Sequence, residues 1–384
     1  MRRFQRDLNA GNGNGANGGN GNGGANGHFP LPNGNGCPTR TPVFGEVRVA
    51  VVGLGYWGPN LLRSLIEMSG VKVKYICDLD EDRLGRYARR YPGTIATRRY
   101  EDILEDPDVH AVVIATPVFT HHELALRALR AGKHTMVEKP LAPSLSAAEE
   151  LRQIADEQRL VLMCGHTFLY SPPVRAVKEI LDRQELGEIY FISASRVNLG
   201  LHQRDVSVVW DLGPHDFSIL LYWLEEFPEW VRAVGRDSVV KGIPDVAFID
   251  MVFPSGILAN VELSWLAPSK LRRTVVVGSE KMVVYDDGAA EPVRVFDHGV
   301  VYKDPETFGQ YHLSYRTGDI VSPKLDTVEP ISLELADFVD CIRDGVSPAP
   351  FIELAQNVVR LIESAESSIA EPASAMAQPG VATV

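Results

Sequence analysis

The chain has 384 residues, 45% of them hydrophobic, with 38 basic against 50 acidic side chains and a net charge of −12. This balance leaves no basic stripe to neutralise phosphates, which excludes a charge-driven nucleic-acid binder, and no run of about 18 apolar residues exists to span a bilayer. The four cysteines, Cys37, Cys77, Cys164 and Cys341, stand far apart without a CxxC pair, so no metal site or disulfide framework is predicted and a cytoplasmic location is expected.

Of the 33 glycines, 11 crowd between Gly11 and Gly36, interleaved with asparagine. Residues 1–44 are too poor in apolar side chains to offset the entropy of ordering and are predicted to be disordered. From Val47 strands and helices alternate. Val47–Val52 is a short apolar run ended by glycine, as expected of a strand buried on both faces of a parallel sheet. Leu61, Leu62, Leu65 and Ile66 recur at helical spacing; Val71–Cys77 reads as a strand and Asp82–Tyr91 as a helix. Ala111–Ala115 is the strongest apolar run. A helical stretch over His122–Arg130, a strand at Thr135–Val137, a helix over Ala147–Glu157 and a strand at Leu160–Cys164 follow. Repeated βα units imply right-handed crossovers and a doubly wound parallel sheet over residues 45–166.

Over residues 167–370 strands dominate: Ile189–Asn198, Val246–Phe253, Leu258–Trp265, Thr274–Gly278 and Lys281–Tyr285. Pro254-Ser255-Gly256 and Gly278-Ser279-Glu280 sit between consecutive strands as hairpin turns. Helices are predicted at Pro214–Leu224, Leu333–Arg343 and Ile352–Ala370, and residues 371–384 form an Ala/Pro-rich, disordered tail. The fold class is therefore α/β: a Rossmann-type parallel sheet, then an α+β domain with an open-faced, largely antiparallel sheet. Helices covering one side of that sheet leave the other for a second subunit, so a homodimer or homotetramer through the open face is expected.

Gly53-Leu54-Gly55-Tyr56-Trp57-Gly58 follows the first strand and opens a helix. Gly53 allows the tight turn, Gly55 lets backbone approach a pyrophosphate, and Gly58 lets the helix pack on the strand. Pro59 suits the first helical turn, whose free N–H groups face the phosphates. Asp78 ends the second strand, where a carboxylate hydrogen-bonds ribose hydroxyls and repels a 2′-phosphate. NAD is therefore predicted over NADP. Arg83, the nearest cation, is assigned to the next helix face.

Farther on come Thr116-Pro117, His121-His122, Glu138-Lys139-Pro140 and Asp211-Leu212-Gly213-Pro214-His215-Asp216. Together with the Gly-rich turn these resemble the glucose-fructose oxidoreductase / inositol dehydrogenase / rhizopine catabolism family (Gfo/Idh/MocA), over about Val47 to Ala370. The resemblance implies a dinucleotide-binding domain, a substrate domain and reversible oxidation of a sugar or cyclitol hydroxyl. It also implies Lys139, Asp211 and His215 as the catalytic set. His215 suits the base because an unperturbed imidazole titrates near working pH. Lys139 would donate to the developing alkoxide, and Asp211 would orient the imidazole or bind substrate. By the same resemblance Thr116 and Pro117 border the nicotinamide ribose with His121 nearby. Glu138 approaches the ring and His166 lies close to it, whereas Trp57 either touches the cofactor or packs.

Gly165–Pro172, Arg196–Gly200 and Trp265–Lys270 with Arg272-Arg273 resemble the branch that oxidises nucleotide-activated amino sugars, such as UDP-N-acetylglucosamine 3-dehydrogenases. Arg196, Lys270, Arg272 and Arg273 are the candidate cations for a nucleotide diphosphate. The alternatives are a cyclitol dehydrogenase of an aminocyclitol pathway and a non-catalytic dinucleotide-sensing regulator.

Overall fold

A strand buried on both faces needs apolar residues at nearly every position, and β1 (Val47–Val52) has them everywhere except Arg48. The computed structural model describes residues 45–200, 206–303, 312–346 and 349–371; the predicted disorder of 1–44 and of the tail beyond Glu371 lies outside them. After β1 come α1 (Gly58–Glu67), β2 (Val71–Cys77), α2 (Glu81–Arg90), β3 (Ile95–Thr97) and α3 (Glu101–Leu104). Next are β4 (Ala111–Ile114), α4 (Val118–Arg130), β5 (His134–Glu138), α5 (Leu145–Gln158) and β6 (Leu162–Gly165). These strands form one six-stranded sheet in the order β3-β2-β1-β4-β5-β6, every pair parallel. The order reverses between β1 and β4, and at such a switch point the loops beyond the strands' carboxyl ends diverge and leave a crevice.

A 3-10 turn at Thr167–Tyr170 leads into α6 (Pro172–Asp182), then β7 (Ile189–Leu199), α7 (Val208–Leu224), β8 (Trp230–Arg236), β9 (Val246–Val252) and β10 (Leu258–Ser264). The chain continues through β11 (Leu266–Gly278), β12 (Met282–Asp286), β13 (Val293–Lys303), β14 (His312–Val321), α8 (Pro330–Asp344) and α9 (Ala349–Ala370). The eight strands pair in the order β14-β13-β12-β11-β7-β10-β9-β8. All pairs are antiparallel except β7 with β10. Strand β9 alternates buried and exposed residues, the pattern of a half-buried sheet. Helices cover one face, and Phe191, Trp230, Phe248 and Leu258 stand exposed elsewhere on β7–β10.

The last two helices return to the first sheet. Leu335, Phe338 and Val339 of α8 share a core with Leu61, Leu62 and Leu65 of α1. Ile352, Ala355 and Val359 of α9 pack with Leu151 and Ala155 of α5. Both faces of the parallel sheet are thus covered.

Several expectations change, and β3, α3, β13 and β14 are further elements that the sequence reading lacked. Helix α7 starts at Val208, six residues before the predicted Pro214, because the Ser207 hydroxyl accepts the Val209 and Trp210 N–H groups as an N-cap. Pro214 lies inside the helix. Helix α6 escaped the pattern although Val174, Val177 and Ile180 are buried at helical spacing. Strand β8 did too, since only Ala233 of its seven residues is buried.

Candidate active site

The Gly-rich turn is shaped by what surrounds it. Gly53 has φ +91°, in the left-handed region that favours glycine. A side chain at Gly58 would collide with the Gly53 carbonyl oxygen, whereas a Cβ at Gly55 would meet nothing within 4 Å. The open space beside the middle glycine leaves room for the close approach that a pyrophosphate would need. Trp57 stands at the N-cap of α1 without a side-chain cap bond, and the first turn has no acidic residue. Its backbone N–H groups and positive dipole end remain available for an anion.

Asp78, 9% exposed, accepts the Leu54 N–H at 2.6 Å and the Asp80 N–H at 2.9 Å. Arg83 belongs to the next helix, α2, as expected, and its guanidinium also turns back to within 3.3 Å of the Asp78 carboxylate. The carboxylate is thus locked at the cleft wall.

A cleft of about 1760 Å³ runs from Asp78 and the Gly-rich turn, past the ends of β4 and β5, to α7. That exceeds a typical single small-ligand pocket of about 300–1,000 Å³ and leaves room for a dinucleotide and a second molecule. Of the expected cofactor residues, Gly53, Gly55, Tyr56, Trp57, Asp78, Thr116, Pro117, Glu138 and Lys139 line it. Leu54 lies in the core and contributes only its N–H to Asp78. Gly58 begins α1 beneath the turn.

His121 and His166 stand behind the wall. The two ring nitrogens of His121 each lie 2.8 Å from a backbone oxygen, of Thr116 and of Pro140; burial favours the neutral ring, which donates to one of the two. His166 is 4% exposed, and neither ring nitrogen has a partner among the described residues. Burial and the nearby Lys139 push its pKa down to about 3.

The expected catalytic trio does converge, from positions up to 76 residues apart in sequence. The Lys139 ammonium donates to the Asp211 backbone oxygen at 2.8 Å and lies 3.6 Å from its carboxylate. One turn further along α7, His215 faces the same cleft. Its ring meets Phe168 edge-on with centroids 5.0 Å apart. Burial, then Lys139, Arg196 and Arg272, hold the His215 pKa well below its ordinary value, so the ring is neutral. The sequence gave no sign that the buried Trp265 indole donates to Asp211 Oδ2 at 3.1 Å.

The four cations expected for a diphosphate do not assemble. Arg196 is 3% exposed and forms a two-point ion pair with Asp216 at 2.5 and 3.3 Å, with its Cζ 4.7 Å from the Phe168 ring centre. Arg272 lines the cleft but pairs with Asp287 at 2.9 Å. Lys270 and Arg273 point to solvent from β11. Periodicity could not foresee this, because it marks which residues are buried and not which charges meet.

Residues 47–166 match the family model for the oxidoreductase family with an NAD-binding Rossmann fold, and residues 174–284 match that for the GFO/IDH/MocA C-terminal domain. The scyllo-inositol 2-dehydrogenase (NAD(+)) of Bacillus subtilis is 26% identical over 321 residues, covering 79% of this chain and 88% of that protein. The dTDP-3,4-didehydro-2,6-dideoxy-alpha-D-glucose 3-reductase of Actinomadura kijaniata is 39% identical over 169 residues, 44% of this chain and 50% of that one. The crystal structure of GenD2 from gentamicin A biosynthesis, in complex with NAD, superposes with a TM-score of 0.72. It is 24% identical, with 88% of this chain and 98% of that chain covered.

Proposed function

The chain belongs to the Gfo/Idh/MocA oxidoreductase family, and from that premise we propose that this NAD-dependent enzyme interconverts a secondary alcohol and a ketone on an uncharged sugar or cyclitol. The observation that carries the reading is the meeting of Lys139, Asp211 and His215 on one wall of the cleft.

Bound NAD supplies the hydride acceptor. The remaining work is proton and charge management by the chain. His215, kept neutral, is free to accept the hydroxyl proton at a ring nitrogen. Lys139 keeps its position through Asp211 and supplies a donor to the oxygen as negative charge develops. Trp265 holds the Asp211 carboxylate from the other side. For the cofactor, the Gly-rich turn and the start of α1 fit the pyrophosphate and Asp78 fits a ribose.

Pairing of Arg196 with Asp216 and of Arg272 with Asp287 supports an uncharged polyol, since neither cation is left over for a diphosphate. A nucleotide-activated sugar is the second reading, favoured by the 39% identity to a dTDP-sugar reductase. The intact trio argues against a sensor without turnover. Free thiols at Cys77, Cys164 and Cys341 agree with a cytoplasmic location, and the exposed apolar residues on β7–β10 support self-association.

NADH formation from a panel of inositols, aldoses, amino sugars and UDP- or dTDP-sugars tests this. The highest kcat/KM is expected with an uncharged polyol. Lys139→Ala and His215→Ala should each lower kcat by about 10²–10⁴-fold. Near-normal turnover in both variants would sink the mechanism, and a preference for nucleotide sugars would overturn the substrate class. NAD binding with no turnover on any member would restore the sensor.

A further inference from the structure

Two buried carboxyl groups beside the cleft have no part in the chemistry above. Glu138 ends β5, is 9% exposed and lines the cleft. Glu334 sits on α8, 196 positions later, and is fully buried. One oxygen of Glu334 accepts the Thr167 hydroxyl at 2.8 Å; its other oxygen, and Oε1 of Glu138, have no partner among the described residues. A native protein seldom leaves such atoms unmet without a reason, a proton or a ligand being the common ones.

The groups facing Glu138 come from every element around it. Its own neighbour Lys139 contributes an N–H at 3.2 Å, and the Trp57 side chain of the Gly-rich turn favours its charged form. From β6, Gly165 lies so close that a Cβ there would stand 3.1 Å from the Glu138 carboxyl carbon; Cys164 precedes it and His166 follows. From α8 comes Glu334. Lys139 is the cation of this set and is already engaged by Asp211. Burial pushes the Glu138 pKa up to about 7, against the opposing pull of Lys139. Burial, then the like charge of Glu138, raise that of Glu334 well above its ordinary value.

With the pyrophosphate on α1 and one ribose at Asp78, a dinucleotide crossing the β1/β4 switch point carries its other half toward the ends of β4 and β5. We propose that Glu138, facing the nicotinamide from the cleft wall with the buried Glu334 carboxyl in the layer behind, holds a proton that distinguishes the oxidised cofactor from the reduced one. The pyridinium ring of NAD carries a positive charge that the dihydropyridine ring of NADH lacks. Arrival of the cation favours the Glu138 carboxylate, so its O–H bond breaks heterolytically and the proton leaves to solvent through the cleft. The neutral ring leaves that proton in place. Raising the pH therefore tightens NAD binding and leaves NADH binding unchanged, which tilts the enzyme toward alcohol oxidation above neutrality.

This rests on the cofactor half of the proposed function and not on the substrate. Isothermal titration calorimetry of the full chain with NAD and with NADH, at pH 7 in two buffers of different protonation enthalpy, counts the protons released. About half a proton per NAD is expected, since a group titrating near 7 is half protonated there, and none per NADH. The NAD Kd should fall about tenfold between pH 6 and pH 8. Glu138→Gln should abolish the release. Glu334→Gln, which keeps a neutral side chain behind Glu138, should leave the release at about half a proton per NAD. Equal proton counts for the two nucleotides, or full release in Glu138→Gln, overturn the proposal; the wild-type contrast decides alone if a variant does not fold. Failure of every alcohol to react would defeat the substrate reading and leave this result standing, whereas failure of both nucleotides to bind defeats both.

Discussion

At the foot of β5, Nδ1 of His134 accepts the Val161 N–H at 3.0 Å, a bond that needs the unprotonated ring. Burial, with a smaller push from His110, lowers its pKa to about 4. The folded value lies below the ordinary 6.5, so the unfolded chain binds the proton first as pH falls. Stability is complete above about pH 6.5, declines toward pH 4 and changes no further below it. The full loss is on the order of 3 kcal/mol. Denaturant midpoints measured from pH 8 to pH 4 should show this slope, and His134→Asn, which can still accept the N–H, should flatten it. Residue identity alone did not reveal such partners. Asp78 was readable because its job follows from its distance to the Gly-rich turn. Arg196 was not, because Asp216 lies 20 positions away on another element.

Among the elements, the turn between β1 and α1 was the most legible, its six residues carrying their own geometric demands. A sharper test separates two of its glycines. A Cβ at Gly55 points into open space, so Gly55→Ala should keep the thermal midpoint and weaken NAD binding about tenfold, the effect of roughly 1–2 kcal/mol of crowding against the ligand. Gly58→Ala instead drives a methyl into the Gly53 carbonyl and should lower the thermal midpoint as well as binding. Equal midpoints for the two variants would contradict these roles. Helix α7 was less legible: proline is welcome in a first turn, so Pro214 drew the boundary toward itself, yet the Ser207 cap had the stronger local claim.

For the whole molecule, the eight-stranded sheet leaves Phe248 exposed, opposite Val234 on β8 and Glu262 on β10. Light scattering should give two or four times the 42.3 kDa chain mass, and Phe248→Asp should shift the population to monomer, because a charge in an apolar contact goes unpaired. A wild-type monomer at micromolar concentration would reject the interface. The return of α8 and α9 to the parallel sheet also belongs to this scale. Their amphipathic patterns were plain, but nothing in them named the surface they would cover.

The sequence by itself determined the parallel sheet, the Gly-rich turn after its first strand and the acidic residue that ends its second, because alternating βα units and a six-residue glycine pattern are local constraints. Lys139, Asp211 and His215 were singled out by the resemblance of their motifs to the Gfo/Idh/MocA family. Tertiary structure alone decided that Trp265 holds Asp211, that Arg196 and Arg272 are spent on carboxylates, and that Glu334 stands behind Glu138. The observed contacts among these are pairings across some fifteen to fifty residues. Hydrophobic periodicity records how deeply a side chain is buried, and only the packed fold determines which charge it meets there.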